Sequence, residues 1–280
     1  MPLTQLLILA LIQGITEFLP ISSSGHLILL PNLTGMQDQG LAIDVAVHVG
    51  TLGAVLLYFR ADVKEAVAGL PRLLTGHMDT PGARLAFLLI VSTIPVIVAG
   101  LALKVLGIDE MLRSTAVIGW TMLVFGLVLW WADRTGKEEK TDTDWSLKDA
   151  IIMGLWQAVA LIPGTSRSGI TITAARMLGY TRTDGAKLAM LMSIPTILAS
   201  GALLSLDVLT GDDTVVVKDA LIGAAFAFLA ALLALTLMMR LLRSVSFTPY
   251  VIYRVILGAI LLWIAYTCRL RTGAGSSRSP

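Results

Sequence analysis

The chain has 280 residues, of which 56% are hydrophobic and only 14% are charged, and its formal net charge is +2. Soluble domains carry about 25% charged residues, so this composition, with a mean hydropathy of +0.81, excludes an ordinary soluble protein and indicates an integral membrane protein. The sequence has no basic cluster that would suit a nucleic acid. Its single cysteine, Cys268, excludes an internal disulfide and a cysteine metal cluster.

Six stretches are long and apolar enough to cross a bilayer as helices, because a span needs roughly 20 mostly apolar residues. In chain order they are 41–59, 84–106, 114–132, 186–206, 215–239 and 249–266. We therefore predict an all-α membrane protein with about six transmembrane helices in a single domain, residues 1–268. A disordered tail is expected at 269–280.

Two further apolar segments, 3–30 and 149–178, are interrupted by proline, serine and glycine. Each half of each segment is too short to cross a bilayer, so both predict re-entrant helix hairpins. Irregular backbone at membrane depth is tolerated only where protein or a water-filled cavity covers it. Both hairpins should therefore lie inside the bundle.

The two interrupted segments resemble each other, which indicates an internal repeat. ALIQGITEFLPISSSGHLI matches GLWQAVALIPGTSRSGITI, with Gln13 opposite Gln157, and STIPVIVAG at 92–100 matches MSIPTILASG at 192–201. We predict a first repeat at 1–132, a second at 149–268 and a solvated linker loop at 133–148. Most loop Lys and Arg residues fall in 60–84, 133–148 and 240–248, which places these loops in the cytoplasm and inverts one repeat relative to the other.

The second interruption, PGTSRSGIT at 163–171, has the composition of an anion site. Pro163 stops the incoming helix, and Arg167 offers a fork of five donors immediately before the next helix. A helix N-terminus with free N–H groups and a guanidinium suits phosphate. The alternative is a polar cap beside an arginine that reaches for the membrane surface. The residues predicted to line the anion site with Arg167 are Gly164, Thr165, Ser166, Ser168 and Thr171.

The first interruption, TEFLPISSSGH at 16–26, has the composition of a catalytic site. Gln13 and Glu17 are four residues apart and share one helix face, so Gln13 can orient Glu17 or help it hold a cation. If 23–30 is helical, a serine hydroxyl can approach the imidazole of His26. Ser23, His26 and Glu17 would then supply a nucleophile, a base and an acid or metal ligand. The alternative is that the serines only cap the helix.

A second pair of ionisable residues, Asp44 and His48, lies four residues apart inside the span 41–59. Ionisable residues inside membrane segments are often functional. For this pair we favour a supporting hydrogen bond over a catalytic role.

Taken together, the two interruptions predict phosphoryl transfer from a lipid, because one supplies the anion cradle and the other the reactive groups. A transporter or lipid flippase is the main alternative, since inverted repeats with broken helices are a transporter architecture. An intramembrane serine protease built on Ser23 and His26 is weaker, because Arg167 suits phosphate better than a peptide.

QGITEFLPISSSGH and PGTSRSGIT resemble the two signature motifs of the bacterial undecaprenyl-diphosphate phosphatases, the bacitracin-resistance family, and the resemblance covers nearly the whole chain. It implies hydrolysis of undecaprenyl diphosphate in the bacterial inner membrane, which recycles the lipid carrier for peptidoglycan synthesis. It also implies a divalent cation, Mg or Ca, with the lipid as the substrate. A homodimer is left open.

The resemblance also assigns roles to individual residues. The family's paired acidic motif falls on Gln13 and Glu17, which implies a metal site with one carboxylate where many members have two. The family's serine falls on Ser23, its histidine on His26 and its phosphate-binding arginine on Arg167. Whether Ser23 becomes phosphorylated or His26 activates water is left open.

Overall fold

The computed structural model describes residues 2–23, 25–27, 30, 40–108, 110–210 and 217–273. This part of the chain is helical, with two short 3₁₀ helices at Glu110–Arg113 and Asp142–Asp144. The α-helices are α1 Leu3–Phe18, α2 Leu41–Tyr58, α3 Arg60–Leu74, α4 Pro81–Leu106, α5 Thr115–Thr135, α6 Leu147–Val159, α7 Arg167–Met177, α8 Arg182–Thr210, α9 Val217–Leu241 and α10 Thr248–Gly273.

Among the described residues, six helices are long and apolar enough to cross a membrane. They are Leu41–Tyr58, Pro81–Leu106, Thr115–Thr135, Arg182–Leu204, Val217–Leu241 and Thr248–Thr267, and each overlaps one predicted span. The prediction of an all-α, multi-pass membrane protein is therefore confirmed. Hydropathy located the spans well because each is a continuous apolar run of the length that a bilayer requires.

Helix α3 lies in 60–84, which the sequence pattern predicts to be a loop. Its residues are too polar to register as a span, yet the helix packs on the start of α4 through two glycines. A Cβ on Gly69 would lie 2.2 Å from the Ala83 nitrogen, and one on Gly82 would lie 2.1 Å from the Glu65 carbonyl oxygen. Glycine is required at both positions because the two backbones touch.

Small residues also bring α9 against α1 and α2. A Cβ on Gly14 would lie 2.6 Å from the Ala230 Cβ, and one on Gly50 would lie 2.2 Å from the Ala224 carbonyl oxygen. In membranes, helices associate largely by such close packing of small residues. This packing fixes α1, which carries Gln13 and Glu17, inside the bundle.

Helices α6 and α7 form a hairpin. Asp149, in the first turn of α6, accepts a hydrogen bond of 2.7 Å from the hydroxyl of Tyr180, which follows α7. Burial, together with this bond, raises the pKa of the Tyr180 hydroxyl and keeps it a donor. The outer ends of α6 and α7 thus lie together and their break lies at the far end, which is compatible with the predicted re-entrant hairpin.

The first interrupted segment has a similar break. Helix α1 ends at Phe18, Leu19 is extended, and Ser23 and Gly25 to Leu27 are helical again. Of the predicted half-helix 23–30, Ser24 and residues 28–29 lie outside the described residues. The division into repeats 1–132 and 149–268 and the inverted orientation stay predictions.

The linker 133–148 packs onto the membrane domain and is more than a solvated loop. Trp145 is 2% exposed and belongs to the main apolar core. Lys187 on α8 bonds Asp62 of α3 at 2.6 Å and Asp142 of the linker at 2.7 Å, so these elements share one end of the bundle. At the C-terminus, α10 continues to Gly273 into the predicted tail, and residues 274–280 lie outside the described part.

Candidate active site

The tips of the two helix breaks meet inside the bundle. Arg167, the first residue of α7, donates from Nη2 to Oε1 of Glu17 at 2.7 Å. The hydroxyl of Ser168 donates to the carbonyl oxygen of Leu19 at 2.9 Å. The predicted meeting of the anion cradle with the predicted catalytic segment is therefore present in the structure.

Glu17 is the centre of this cluster. It is 8% exposed, and its second oxygen, Oε2, accepts hydrogen bonds of 2.9 Å from Gln13 Nε2 and from the Ser23 hydroxyl. The predicted contact between Gln13 and Glu17 is confirmed. With Arg167 on Oε1, both oxygens are engaged, which compensates for burying the charge.

The two breaks use the same backbone device. Ser22 and Ser166 have φ values of 76° and 73°, a region that side chains other than glycine seldom adopt. Each serine hydroxyl accepts a hydrogen bond from the backbone N–H three residues later, that of Gly25 at 3.3 Å and that of Gly169 at 3.1 Å. The next helix therefore starts at Ser23 in the first break and at Arg167 in the second, so both side chains occur at equivalent positions.

Gly164 lets the second break lie directly against α5. Its φ is 87°, and a Cβ there would lie 2.2 Å from the Thr121 hydroxyl oxygen. Thr121 in turn donates to the carbonyl oxygen of Pro163 at 2.6 Å. Only glycine suits both the backbone angle and the contact, so the role of Gly164 is to shape the loop.

Most of the predicted cradle hydroxyls are engaged with protein groups. The hydroxyl oxygens of Ser166 and Ser168 lie within hydrogen-bond distance of each other, at 3.2 Å. The Thr171 hydroxyl donates to the Arg167 carbonyl oxygen at 2.8 Å. Thr165 is fully buried, and its hydroxyl oxygen has no hydrogen-bond partner in the described part of the chain. Of these predicted substrate contacts, Thr165 therefore has the spare hydroxyl in this arrangement.

His26 faces away from the Glu17 cluster. Its Nδ1 lies 2.6 Å from the carbonyl oxygen of Ser22, so Nδ1 carries the proton and donates. In the neutral ring, Nε2 then accepts from the Tyr253 hydroxyl at 2.5 Å, and the two rings stack. The expected approach of a serine hydroxyl to the imidazole is wrong, because Ser22 offers its carbonyl and Ser23 turns to Glu17.

His48 is a histidine that does lie next to the carboxylate. Its Nδ1 donates to the Asp44 carbonyl oxygen at 2.7 Å, and its Nε2 is 3.9 Å from Glu17 Oε2. The predicted support from Asp44 thus comes from the main chain. The spacing of Asp44 and His48 suggested their pairing, but the proximity to Glu17 depends on how α1 packs on α2.

Two consecutive residues of α10 were missed by sequence reasoning. Tyr253 bonds His26, and Arg254 donates to main-chain carbonyls of both breaks. A signal for Arg254 was present, because a buried cation within an apolar span marks a functional or structural site. No comparable signal singles out Tyr253, since tyrosine is common near membrane interfaces.

A hard cation would fit one part of this site. The described residues hold no cluster of three or more His, Cys, Asp or Glu side chains suited to a metal ion. However, Mg²⁺ is often held by one or two carboxylates together with water and substrate phosphates. Glu17 is such a carboxylate, and beside it Gln13 Oε1 is buried without a hydrogen-bond partner among the described residues.

The fold and site define a class, namely multi-pass α-helical membrane proteins with a buried, arginine-containing site between two broken helices. The sequence model of the family "Bacitracin resistance protein BacA" matches residues 6–260. The chain belongs to this family.

Individual relatives agree with the family assignment over almost their full length. The undecaprenyl-diphosphatase of Ruegeria pomeroyi is 70% identical over 267 residues, which cover 95% of this chain and all of the relative. The undecaprenyl-diphosphatase of Jannaschia sp. is 71% identical over 266 residues, with the same coverage. Undecaprenyl-diphosphatase 1 of Rhodospirillum rubrum is 48% identical and covers 95% of this chain and 96% of the relative.

Proposed function

We propose that the protein hydrolyses undecaprenyl diphosphate to undecaprenyl phosphate and inorganic phosphate in the bacterial inner membrane. This reaction recycles the lipid carrier for peptidoglycan synthesis and accounts for bacitracin resistance. The observation that carries the proposal is the cluster of Arg167, Glu17 and Ser23, which joins an anion-binding group to a hydroxyl and a carboxylate. Relatives named undecaprenyl-diphosphatase over the full chain support the same substrate.

Arg167 would bind the diphosphate and stabilise the charge that develops on it. Its guanidinium is held by Glu17 through Nη2 and by the Ala189 carbonyl oxygen through Nη1 at 3.3 Å. These contacts hold the fork at the start of α7, where helix N–H groups also favour an anion. Phosphoryl transfer depends mainly on such positioning and charge stabilisation.

Ser23 and Glu17 would carry the proton transfer. Because the Ser23 hydroxyl already donates to Glu17, the carboxylate is placed to take its proton. Ser23 Oγ would then bond the terminal phosphorus while the bond to the bridging oxygen breaks, releasing undecaprenyl phosphate. Water would cleave the serine–phosphate bond and release inorganic phosphate. A water molecule held by Ser23 and attacking directly is the other route.

A divalent cation, Mg or Ca, would be held by Glu17 and Gln13 together with the diphosphate. Bound there, it would neutralise charge on the phosphate groups. Gln13 Oε1, which is buried without a hydrogen-bond partner among the described residues, supports this assignment. Whether the protein forms a homodimer stays open.

The transporter alternative draws only on the broken-helix architecture, which a hydrolase shares. The hydrogen bond between Ser23 and Glu17 beside Arg167 favours chemistry, because binding and transport alone do not require a hydroxyl next to a base.

The test is phosphate release from a C55 isoprenoid diphosphate by the purified protein in detergent, with and without a chelator. We expect wild-type release that the chelator stops, and a loss of about 100-fold or more in Ser23→Ala. Ser92→Ala is a matched control, because this buried serine bonds only the Leu89 carbonyl of its own helix among the contacts that the structure describes. Absence of release from folded wild-type protein that still binds the lipid would overturn the proposal.

A further inference from the structure

We propose that Arg254 is a positioning residue that holds the two helix breaks in register, an inference that rests on the proposed function for its kinetic consequences. Arg254 lies in the second turn of α10 and is fully buried. Its guanidinium reaches carbonyl oxygens in three separate segments. They are Pro20 in the first break at 3.4 Å, Gly164 and Thr165 in the second at 3.1 and 2.8 Å, and Thr121 and Met122 of α5 at 3.4 and 3.2 Å.

The chemistry of these contacts explains why a cation is buried at this point. A helix that stops at membrane depth leaves carbonyl groups without partners, and each unsatisfied group is costly away from water. Arginine offers five donors in one plane and can serve several carbonyls from different directions. Carbonyl oxygens also carry partial negative charge, so they compensate in part for the buried positive charge.

A comparison with Arg176 shows what is unusual about Arg254. Arg176 is also buried, with 1% of its surface exposed, and it also donates to carbonyl oxygens. Unlike Arg254, it is paired with the carboxylates of Asp133 and Glu138. Among the described residues, Arg254 has no carboxylate within 4.0 Å. Its charge is therefore committed to the main chain of the two breaks and of α5.

The carbonyls that Arg254 holds are close in sequence to the reactive pair. Pro20 is in the turn that follows Glu17, and Thr165 is in the turn that leads into Arg167. The guanidinium also lies against the start of α7, because a Cβ on Gly169 would be 2.8 Å from its Nη1. Fixing both turns to one rigid group would hold the Glu17 and Arg167 side chains within bonding distance.

This arrangement makes a prediction about lysine at the same position. Arg254→Lys keeps the charge but has a single nitrogen, which cannot take the places of both Nη1, the donor to Pro20, and Nη2, the donor to Gly164 and Thr165. Arg254→Met removes the charge and the donors and keeps an apolar side chain. If Arg254 holds the two breaks in fixed positions relative to each other, both variants should loosen the breaks. If only its charge matters, Arg254→Lys should be as active as the wild type.

The experiment compares Arg254→Lys, Arg254→Met and the control Arg176→Lys, in full-length protein in detergent. Hydrogen exchange is measured by mass spectrometry over 14–23 and 158–170, together with kcat and KM for phosphate release. We expect faster exchange confined to these two segments and a fall in kcat of about 100-fold for Arg254→Met, the scale of a small misplacement of reactive groups. For Arg254→Lys we expect about 10-fold, with little change in KM.

Arg176→Lys should lower thermal stability and leave exchange at the breaks and kcat close to those of the wild type. Unchanged exchange at the breaks in both Arg254 variants, or the same pattern in Arg176→Lys, would overturn the proposal. If Arg254→Met does not fold, the hydrogen exchange and kcat of Arg254→Lys alone decide whether the proposal holds. If wild-type protein releases no phosphate, the proposed function fails, and the exchange comparison still decides whether Arg254 holds the breaks.

Discussion

The two helix breaks share a backbone design and differ in chemistry. In both, a serine with a left-handed φ, Ser22 or Ser166, caps the following helix with its hydroxyl. The residue after that serine is Ser23 in the first break and Arg167 in the second, and both reach Glu17. One break thus presents a hydroxyl and the other a cation to the same carboxylate.

The comparison teaches how a repeated scaffold can form an asymmetric site. The cap geometry fixes where each helix starts, and the side chain at that start determines what the break contributes. Gln13 and Gln157 illustrate the same divergence. Gln13 bonds Glu17, whereas Gln157 is fully buried and its amide has no hydrogen-bond partner among the described residues. The glutamine of the first segment therefore has a carboxylate to orient, and that of the second has none among the described residues.

The largest expected effect comes from removing the charge of the second break. We predict that Arg167→Ala lowers kcat for phosphate release on the order of 1,000-fold, since one arginine on a transferring phosphoryl group is worth that much or more. The exposed arginine at the start of α3 provides the control, and Arg60→Ala should stay within about twofold of wild type. Full activity in Arg167→Ala would show that the second break does not bind the phosphate.

A much smaller effect is expected at the edge of the first break. Tyr253→Phe removes the donor to His26 Nε2 and leaves the ring in place to stack on the imidazole. We predict a loss in kcat of about fivefold, the equivalent of one neutral hydrogen bond of about 1 kcal/mol. A loss comparable to that of Arg167→Ala in the same phosphate-release assay would place the Tyr253–His26 pair in the chemistry.

The parts of the fold that were predicted correctly depend on local patterns. The six spans are continuous apolar runs, and the contact of Gln13 with Glu17 follows from helical spacing of four residues. Helix α3 was missed because it is amphipathic and short of the hydropathy of a span. The packing of Trp145 under the linker was missed because burial of a single aromatic in a charged loop depends on distant elements.

The site was predicted in part for the same reason. The motifs supplied Glu17, Ser23 and Arg167, but their contact distances depend on how the two breaks meet and on how α1 packs against α9. His26 was expected to meet a hydroxyl, but its Nδ1–H donates to a main-chain carbonyl oxygen in the same turn instead. Arg254 joins the breaks from the last helix, and no sequence spacing indicates that a side chain of α10 reaches both of them.

The most direct test of a site shared by the two breaks is a double-mutant cycle on Glu17 and Arg167. It measures kcat/KM for phosphate release from a C55 isoprenoid diphosphate by wild type, Glu17→Gln, Arg167→Ala and the double variant. Because the two side chains act as one unit, we predict that the double variant stays within about threefold of the slower single variant. A double variant whose loss equals the product of the two single losses would show that the two breaks act independently and contradict the account.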